Sequence, residues 1–224
     1  MKQERFETQG RMATLYLAEE AGRPLVVLNN FAGDGGSVVK ALAQVGAPEL
    51  NLLCIGNLAW DHDMAPWYCP PLSENDTPCT GGASDYLQLL LNEILPHAID
   101  LVEGEPAHTS IAGYSLAGLF ALWAAYNCDS FASVASVSGS LWFPGFEEYC
   151  KERAFARAPE KIYVSLGDKE ARTRNGLLKT VQTRTEALVA HYRQIGLNVQ
   201  WELNPGNHIQ DAALRSAKGI AAIL

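Results

Sequence analysis

Short, continuous apolar runs alternate along this chain with longer stretches whose apolar positions recur every three to four residues. The runs 24–30 (PLVVLNN), 49–57 (ELNLLCIGN), 108–114 (HTSIAGY), 131–139 (FASVASVSG), 161–167 (KIYVSLG) and 198–206 (NVQWELNPG) read as strands. Between them, 36–45, 84–102, 115–127, 176–196 and 211–224 read as helices. In the fourth of these, Leu178, Val181, Leu188, Tyr192 and Ile195 mark one apolar face. The 84–102 helix has Ser84 or Thr80 as its expected cap, and Pro96 as an expected kink. Apolar strands separated by helices predict an α/β protein with a mainly parallel sheet covered on both faces. Ligands bind such sheets beyond the carboxyl ends of the strands, so the loops opening near Asn30, Asn57, Tyr114, Ser138, Gly167 and Asn204 are where chemistry belongs.

One segment breaks the rhythm. Residues 58–83 carry four prolines and two tryptophans with no period, and a loop of that length inside a compact domain is usually functional or mobile. Trp60, Trp67 and Tyr68 are candidates to line a pocket there, or to cover the edge of the core.

At 224 residues the chain accommodates one such sheet with its helices, and a single domain over 1–224 is expected. The net charge of −8 argues against nucleic acid or an anionic membrane surface as a partner. No run approaches the length of a membrane span, and MKQERFETQGRM lacks the apolar core of a secretory leader. Five cysteines form no disulfide framework, although Cys69 and Cys79 flank the proline-rich loop and pairing between them stays open. A cytoplasmic location is the default expectation. The histidines are scattered, so no metal site is expected.

The chemistry centres on 109–126, TSIAGYSLAGLFALWAAY. A serine presented on a sharp turn between strand and helix needs small residues on either side, because the two backbones approach closely. Gly113, Ser115, Ala117 and Gly118 meet that demand, although the glycine usual two residues after the serine is alanine. The helix starting there offers the Leu116 amide to a developing oxyanion. A serine hydroxyl needs a base, and His208 in NPGNH falls between the last strand and the last helix. His97 and His191 lie within helices, His62 lies in the long loop, and His108 is at the wrong end of its strand. An acid to orient the base is expected after the preceding strand, where GDKE supplies Asp168 and Glu170, and spacing leaves both open. A second oxyanion donor is expected from the amide of Phe31 or Ala32. The GDGG loop has neither the spacing nor the lysine of a phosphate-binding loop.

Taken together, IAGYSLAGLFALWAA, SGSLWF (138–143), WDHDMAPW (60–67), LNEILPHAI and GDKE followed by PGNH resemble the esterase group of the α/β-hydrolase superfamily. The similarity is to the enterochelin (siderophore) esterases and the feruloyl and esterase-D-like enzymes, and runs from about Pro24 to the C-terminus. It implies an α/β-hydrolase fold without a large cap, no cofactor, and an acid three residues beyond a strand-end glycine. That rule ranks Glu170 ahead of Asp168. Asn29-Asn30-Phe31 departs from the Asp-Gly or His-Gly of many relatives. The expected activity is hydrolysis of a small-molecule ester through an acyl-enzyme, with Trp60, Trp67, Tyr68, Trp142 and Phe143 as candidate pocket walls. Acyl transfer by the same residues, or a non-catalytic binding role for the fold, are the alternatives, and the oligomeric state is left open.

Overall fold

The six apolar runs form the parallel part of an eight-stranded sheet in the computed structural model, which describes residues 2–224. In chain order the elements begin with β1 (Gln3–Thr8), β2 (Arg11–Tyr16), β3 (Leu25–Asn29), α1 (Gly36–Gln44) and β4 (Asn51–Gly56). The long loop contributes α2 (Trp60–Asp63), β5 (Tyr68–Cys69) and β6 (Cys79–Thr80). Then come α3 (Ala83–Leu89), a π-helical turn (Leu90–Ile94), α4 (Leu95–Leu101), β7 (Thr109–Tyr114), α5 (Leu116–Asn127) and β8 (Ser133–Val137). The chain closes with α6 (Phe146–Glu152), β9 (Lys161–Gly167), α7 (Val181–Gln194), β10 (Val199–Asn204) and α8 (Ala212–Ala222).

The sheet order is β1-β2-β4-β3-β7-β8-β9-β10. From β4 onward every pairing is parallel, while β1 and β2 pair antiparallel at one edge. On one face α1 and α8 cover Val26, Leu28 and Tyr163; on the other, α3, α4, α5 and α7 enclose the larger core. Helix α5 is apolar all round and buried from Leu116 to Tyr126, as expected of a helix wedged between sheet and neighbours. Each fully buried Leu or Phe there contributes about 1.5–3 kcal/mol of transfer free energy.

The structure departs from the sequence reading in four places. The edge hairpin β1–β2 was not foreseen, because β1 (QERFET) exposes alternate polar positions and its only large apolar residue is Phe6. Helix α6 is likewise new. The proline-rich loop is not structureless, since β5 and β6 form a small antiparallel pair that sets Cys69 opposite Cys79. Both are free thiols, and burial raises both, Cys79 to about 12, so neither is a thiolate nucleophile. Finally, neither Ser84 nor Thr80 caps α3: Gly82 stands at the cap, Ser84 lies inside the helix, and Thr80 bonds His62 instead. At Pro96, where a kink is expected, a π-helical turn (Leu90–Ile94) leads directly into α4 and Pro96 falls in the first turn of α4, where its missing N–H costs least.

Candidate active site

Ser115 is the pivot between β7 and α5, with φ 60° and ψ −123°, a conformation costly for a residue with a Cβ. Its amide donates to the Val137 carbonyl at 3.0 Å, and its carbonyl accepts from Ser140 at 3.0 Å, so β8 and its loop hold the turn in place. Asn57 and Ser138 also have positive φ at the carboxyl ends of β4 and β8, which concentrates strain along this edge of the sheet.

His208 stands in the loop between β10 and α8, with Nε2 2.9 Å from Ser115 Oγ. Its Nδ1 lies 2.6 Å from Glu170 Oε2. The other carboxylate oxygen of Glu170 accepts the Gly167 N–H at 2.6 Å. Burial alone would push the Glu170 carboxyl up, but hydrogen bonding and charge interaction with His208, helped by Ser138 and the Gly167 amide, bring it below the usual carboxylate range. Asp168 is turned elsewhere: its carboxylate accepts the Gly206 N–H at 2.7 Å and braces the loop that carries His208. Of the two acids the sequence offered, Glu170 is the one that bonds the histidine.

The amides of Leu116, Phe31 and Ala32 donate to no carbonyl or side chain among the described residues. Asn30 shapes the loop presenting the last two by donating its side-chain amide to the Ala32 carbonyl at 2.6 Å. Asn29 faces inward, and its side-chain oxygen accepts the Tyr86 hydroxyl.

Three cavities meet at Ser115. The first, about 460 Å³, lies between Phe31, Trp60, Val38, Tyr114 and Ile209. A second of about 290 Å³ runs past Ser138, Trp142 and Leu178, and a third of about 240 Å³ lies under Trp60, Leu72 and Trp142 with Asp61 and Asp76 on its wall. Trp60 and Trp142 are thus wall residues of these cavities. Trp67 is not one of them: it packs against Phe143, Phe146 and Tyr149 and donates its indole N–H to the Pro144 carbonyl at 2.8 Å. Tyr68 is 63% exposed and borders none of the three cavities, while Phe143 is fully buried in the core. Sequence reasoning missed Tyr114, Ile209 and Leu72 as wall residues, and it missed Arg215, buried directly behind Glu170. Ile209 and Tyr114 carried a signal, being neighbours of His208 and Ser115; Arg215, in an ordinary helical pattern, carried none. Among the described residues no three His, Cys, Asp or Glu side chains gather as a metal site, and no helix is long and apolar enough to cross a membrane.

A parallel sheet of this order, with a strained serine after β7 and a histidine after β10, defines the α/β-hydrolase class of fold. The family model described as "Putative esterase" matches residues 53–208, and the chain belongs to that family of carboxylic ester hydrolases. An IroE-like serine hydrolase from Shewanella oneidensis is similar in structure, with TM-score 0.78 and 20% identity over 98% of this chain and 78% of the other. The siderophore hydrolase EstA of Aspergillus nidulans gives TM-score 0.73 and 17% identity over 98% and 92%. The enterobactin esterase FES of Shigella flexneri gives 0.71 and 20%, with 99% of this chain matched to 58% of that one. No curated protein matches the chain.

Proposed function

We propose that the chain hydrolyses a carboxylic ester that carries no negative charge through an acyl-enzyme on Ser115. His208 takes the hydroxyl proton as Ser115 attacks the carbonyl, then returns it to the departing alcohol. Glu170 holds the imidazole in the tautomer that leaves Nε2 free to accept, and stabilises the imidazolium that forms. The amides of Leu116 and of Phe31 or Ala32 receive the oxyanion. Water, activated by His208 in turn, releases the acid.

The observation that carries this reading is the unbroken line of hydrogen bonds from Ser115 Oγ through His208 to Glu170, opening onto three cavities and next to amides without acceptors. The absence of negative charge on the substrate follows from what lines those cavities: among the described residues no lysine or arginine, but Asp61 and Asp76. An anionic ester would enter without a counter-charge. The test is labelling with a fluorophosphonate probe together with hydrolysis of p-nitrophenyl butyrate. The native protein should label and turn over, and Ser115→Ala and His208→Ala should do neither. A native protein that is folded yet neither labels nor hydrolyses would leave the fold as a binding scaffold.

A further inference from the structure

Arg215 sits in the first turn of α8, sealed from solvent at 2% side-chain exposure behind Glu170 at 4%. A guanidinium withdrawn from water needs acceptors for its donors, and those it has are all parts of the candidate site. Nη1 lies 3.3 Å from Glu170 Oε1, 3.3 Å from Ser138 Oγ and 3.0 Å from the Asn207 carbonyl. Nη2 donates to the Pro205 carbonyl at 2.7 Å. The Tyr114 hydroxyl, 3.5 Å from Nη1, itself donates to the His208 carbonyl at 2.6 Å. One side chain thus joins the ends of β7, β8 and β9 to the loop that carries the histidine.

We propose that Arg215 is the positioning residue of this site, clamping the 205–207 loop so that His208 stays aligned on Ser115 and supplying the counter-charge behind Glu170. The proposal rests on the Ser115–His208–Glu170 reading. Its electrostatic half has a definite sign. Acid adds one proton to the Glu170–His208 pair, beyond the one already held between Nδ1 and the carboxylate, and a fixed positive charge beside the pair lowers its affinity for that added proton. Taking the charge away must raise that affinity, whichever of the two atoms holds the proton.

Other groups around the pair do not duplicate this charge. From β7 comes the Tyr114 hydroxyl, which burial pushes above its ordinary pKa, so it stays neutral. From β8 comes the uncharged Ser138. Asp168, on the same loop as Glu170, is occupied by the Gly206 amide. Lys218, farther along α8, pairs with Glu202 of β10 at 2.6 Å. Among the described residues, Arg215 is the only lysine or arginine in ion-pair contact with Glu170.

The experiment compares Arg215→Met, Arg215→Gln and Arg215→Lys with the native protein after thermal melts show each is folded. Two readouts are taken: the pH profile of kcat/KM on an uncharged p-nitrophenyl ester, and the NMR titration of the His208 ring, assigned with His208→Asn. Both neutral variants should move the acidic limb and the ring titration upward, on the order of one pH unit. Their kcat should fall by about 10- to 100-fold, with KM changed by less than about threefold, as expected of misalignment rather than lost binding. Arg215→Lys should lose rate but keep the limb at its native position. If Arg215→Met does not fold, Arg215→Gln makes the same comparison. An unmoved limb and ring titration in a folded neutral variant would overturn the proposal and leave Arg215 a packing residue. The ring titration needs no turnover, so an inert native protein would refute the hydrolase reading while the clamp was still being tested.

Discussion

A Cβ placed on Gly113 would lie 2.1 Å from the carbonyl oxygen of Ala117, far inside van der Waals contact. The backbone of the first α5 turn therefore crosses directly over the end of β7, and it is residue 113 that must lack a side chain. Ala117 keeps its own methyl, fully buried. The second crowded position is Gly118, where a Cβ would be 3.0 Å from each of the Gly113 oxygen, Gly139 Cα and Ser136 Oγ. The demand for small residues around this serine falls on 113 and 118, which is why alanine is accommodated at 117.

Gly113→Ala is accordingly expected to lower the melting temperature sharply and abolish probe labelling, since only backbone is available to move aside. Ala117→Gly should remain folded and label, with a loss of about 1–2 kcal/mol from helix propensity and the removed buried methyl together. Thermal melts and fluorophosphonate labelling of the two variants, side by side, check this.

The two acids should separate cleanly by mutation. Glu170→Gln removes the group on His208 Nδ1 and leaves Arg215 buried without its counter-charge. It should cost on the order of 10⁴ in kcat. It should also cost about 3–5 kcal/mol in stability, the usual penalty for breaking a buried pair. Asp168→Asn retains an oxygen for the Gly206 amide and should keep kcat within about tenfold of native. Equal losses of kcat for the two variants would refute the assignment.

Acid stability follows from the direction of two carboxyl shifts. For both Glu170 and Glu202 burial raises the pKa, and in both it is outweighed: by His208 at Glu170, and by hydrogen bonds from Lys218 and Tyr163 at Glu202. A carboxyl whose folded pKa is depressed contributes stability that is fully present above its unfolded value, about 4.3, and is lost as pH falls through the folded value. Urea midpoints should therefore hold steady from neutral pH to about 5 and fall below that. The gap between native protein and Glu202→Gln should narrow as they fall; a gap that stays constant to pH 3 would contradict the linkage.

Substrate charge gives the remaining prediction. With no cation on the walls of the three cavities, an ester whose acyl chain ends in a carboxylate should show a lower kcat/KM than its methyl-ended counterpart of equal length. The ratio should shrink as salt is raised, because screening acts on the repulsion and not on the ester chemistry. Paired kinetics at low and high ionic strength measure it, and a preference for the anionic ester would sink the proposed substrate class.

Much of this architecture was legible in the chain itself. Strands buried on both faces cannot alternate polar and apolar residues, so the apolar runs at 24–30, 108–114 and 161–167 identified themselves and, with the helices between them, implied a parallel sheet. The candidate positions of Ser115, an acid and His208 just past their strands came from the rule for the carboxyl ends of parallel strands, and their order from the chain order of α/β-hydrolases. The edge hairpin β1–β2 escaped because an edge strand owes its existence to a partner rather than to its own pattern, and half of β1 faces water.

What the chain determined by itself was local: period, turn chemistry and the spacing of small residues, all set by backbone sterics within a few residues. Folding decided everything that depends on where a loop turns. Asp168 and Glu170 are two residues apart, and only the approach of the Gly206 backbone, whose carbonyl would lie 2.4 Å from any Cβ on Gly167, diverts one of them to a loop amide and the other to His208. Trp67 went to the core and Trp60 to a cavity wall for the same kind of reason. Arg215 looks like any polar residue on an amphipathic helix, and it becomes part of the site only when α8 packs against the ends of strands far away in sequence. Contacts of that range carry no signature in the local pattern, because the groups that satisfy a buried guanidinium are gathered by tertiary packing.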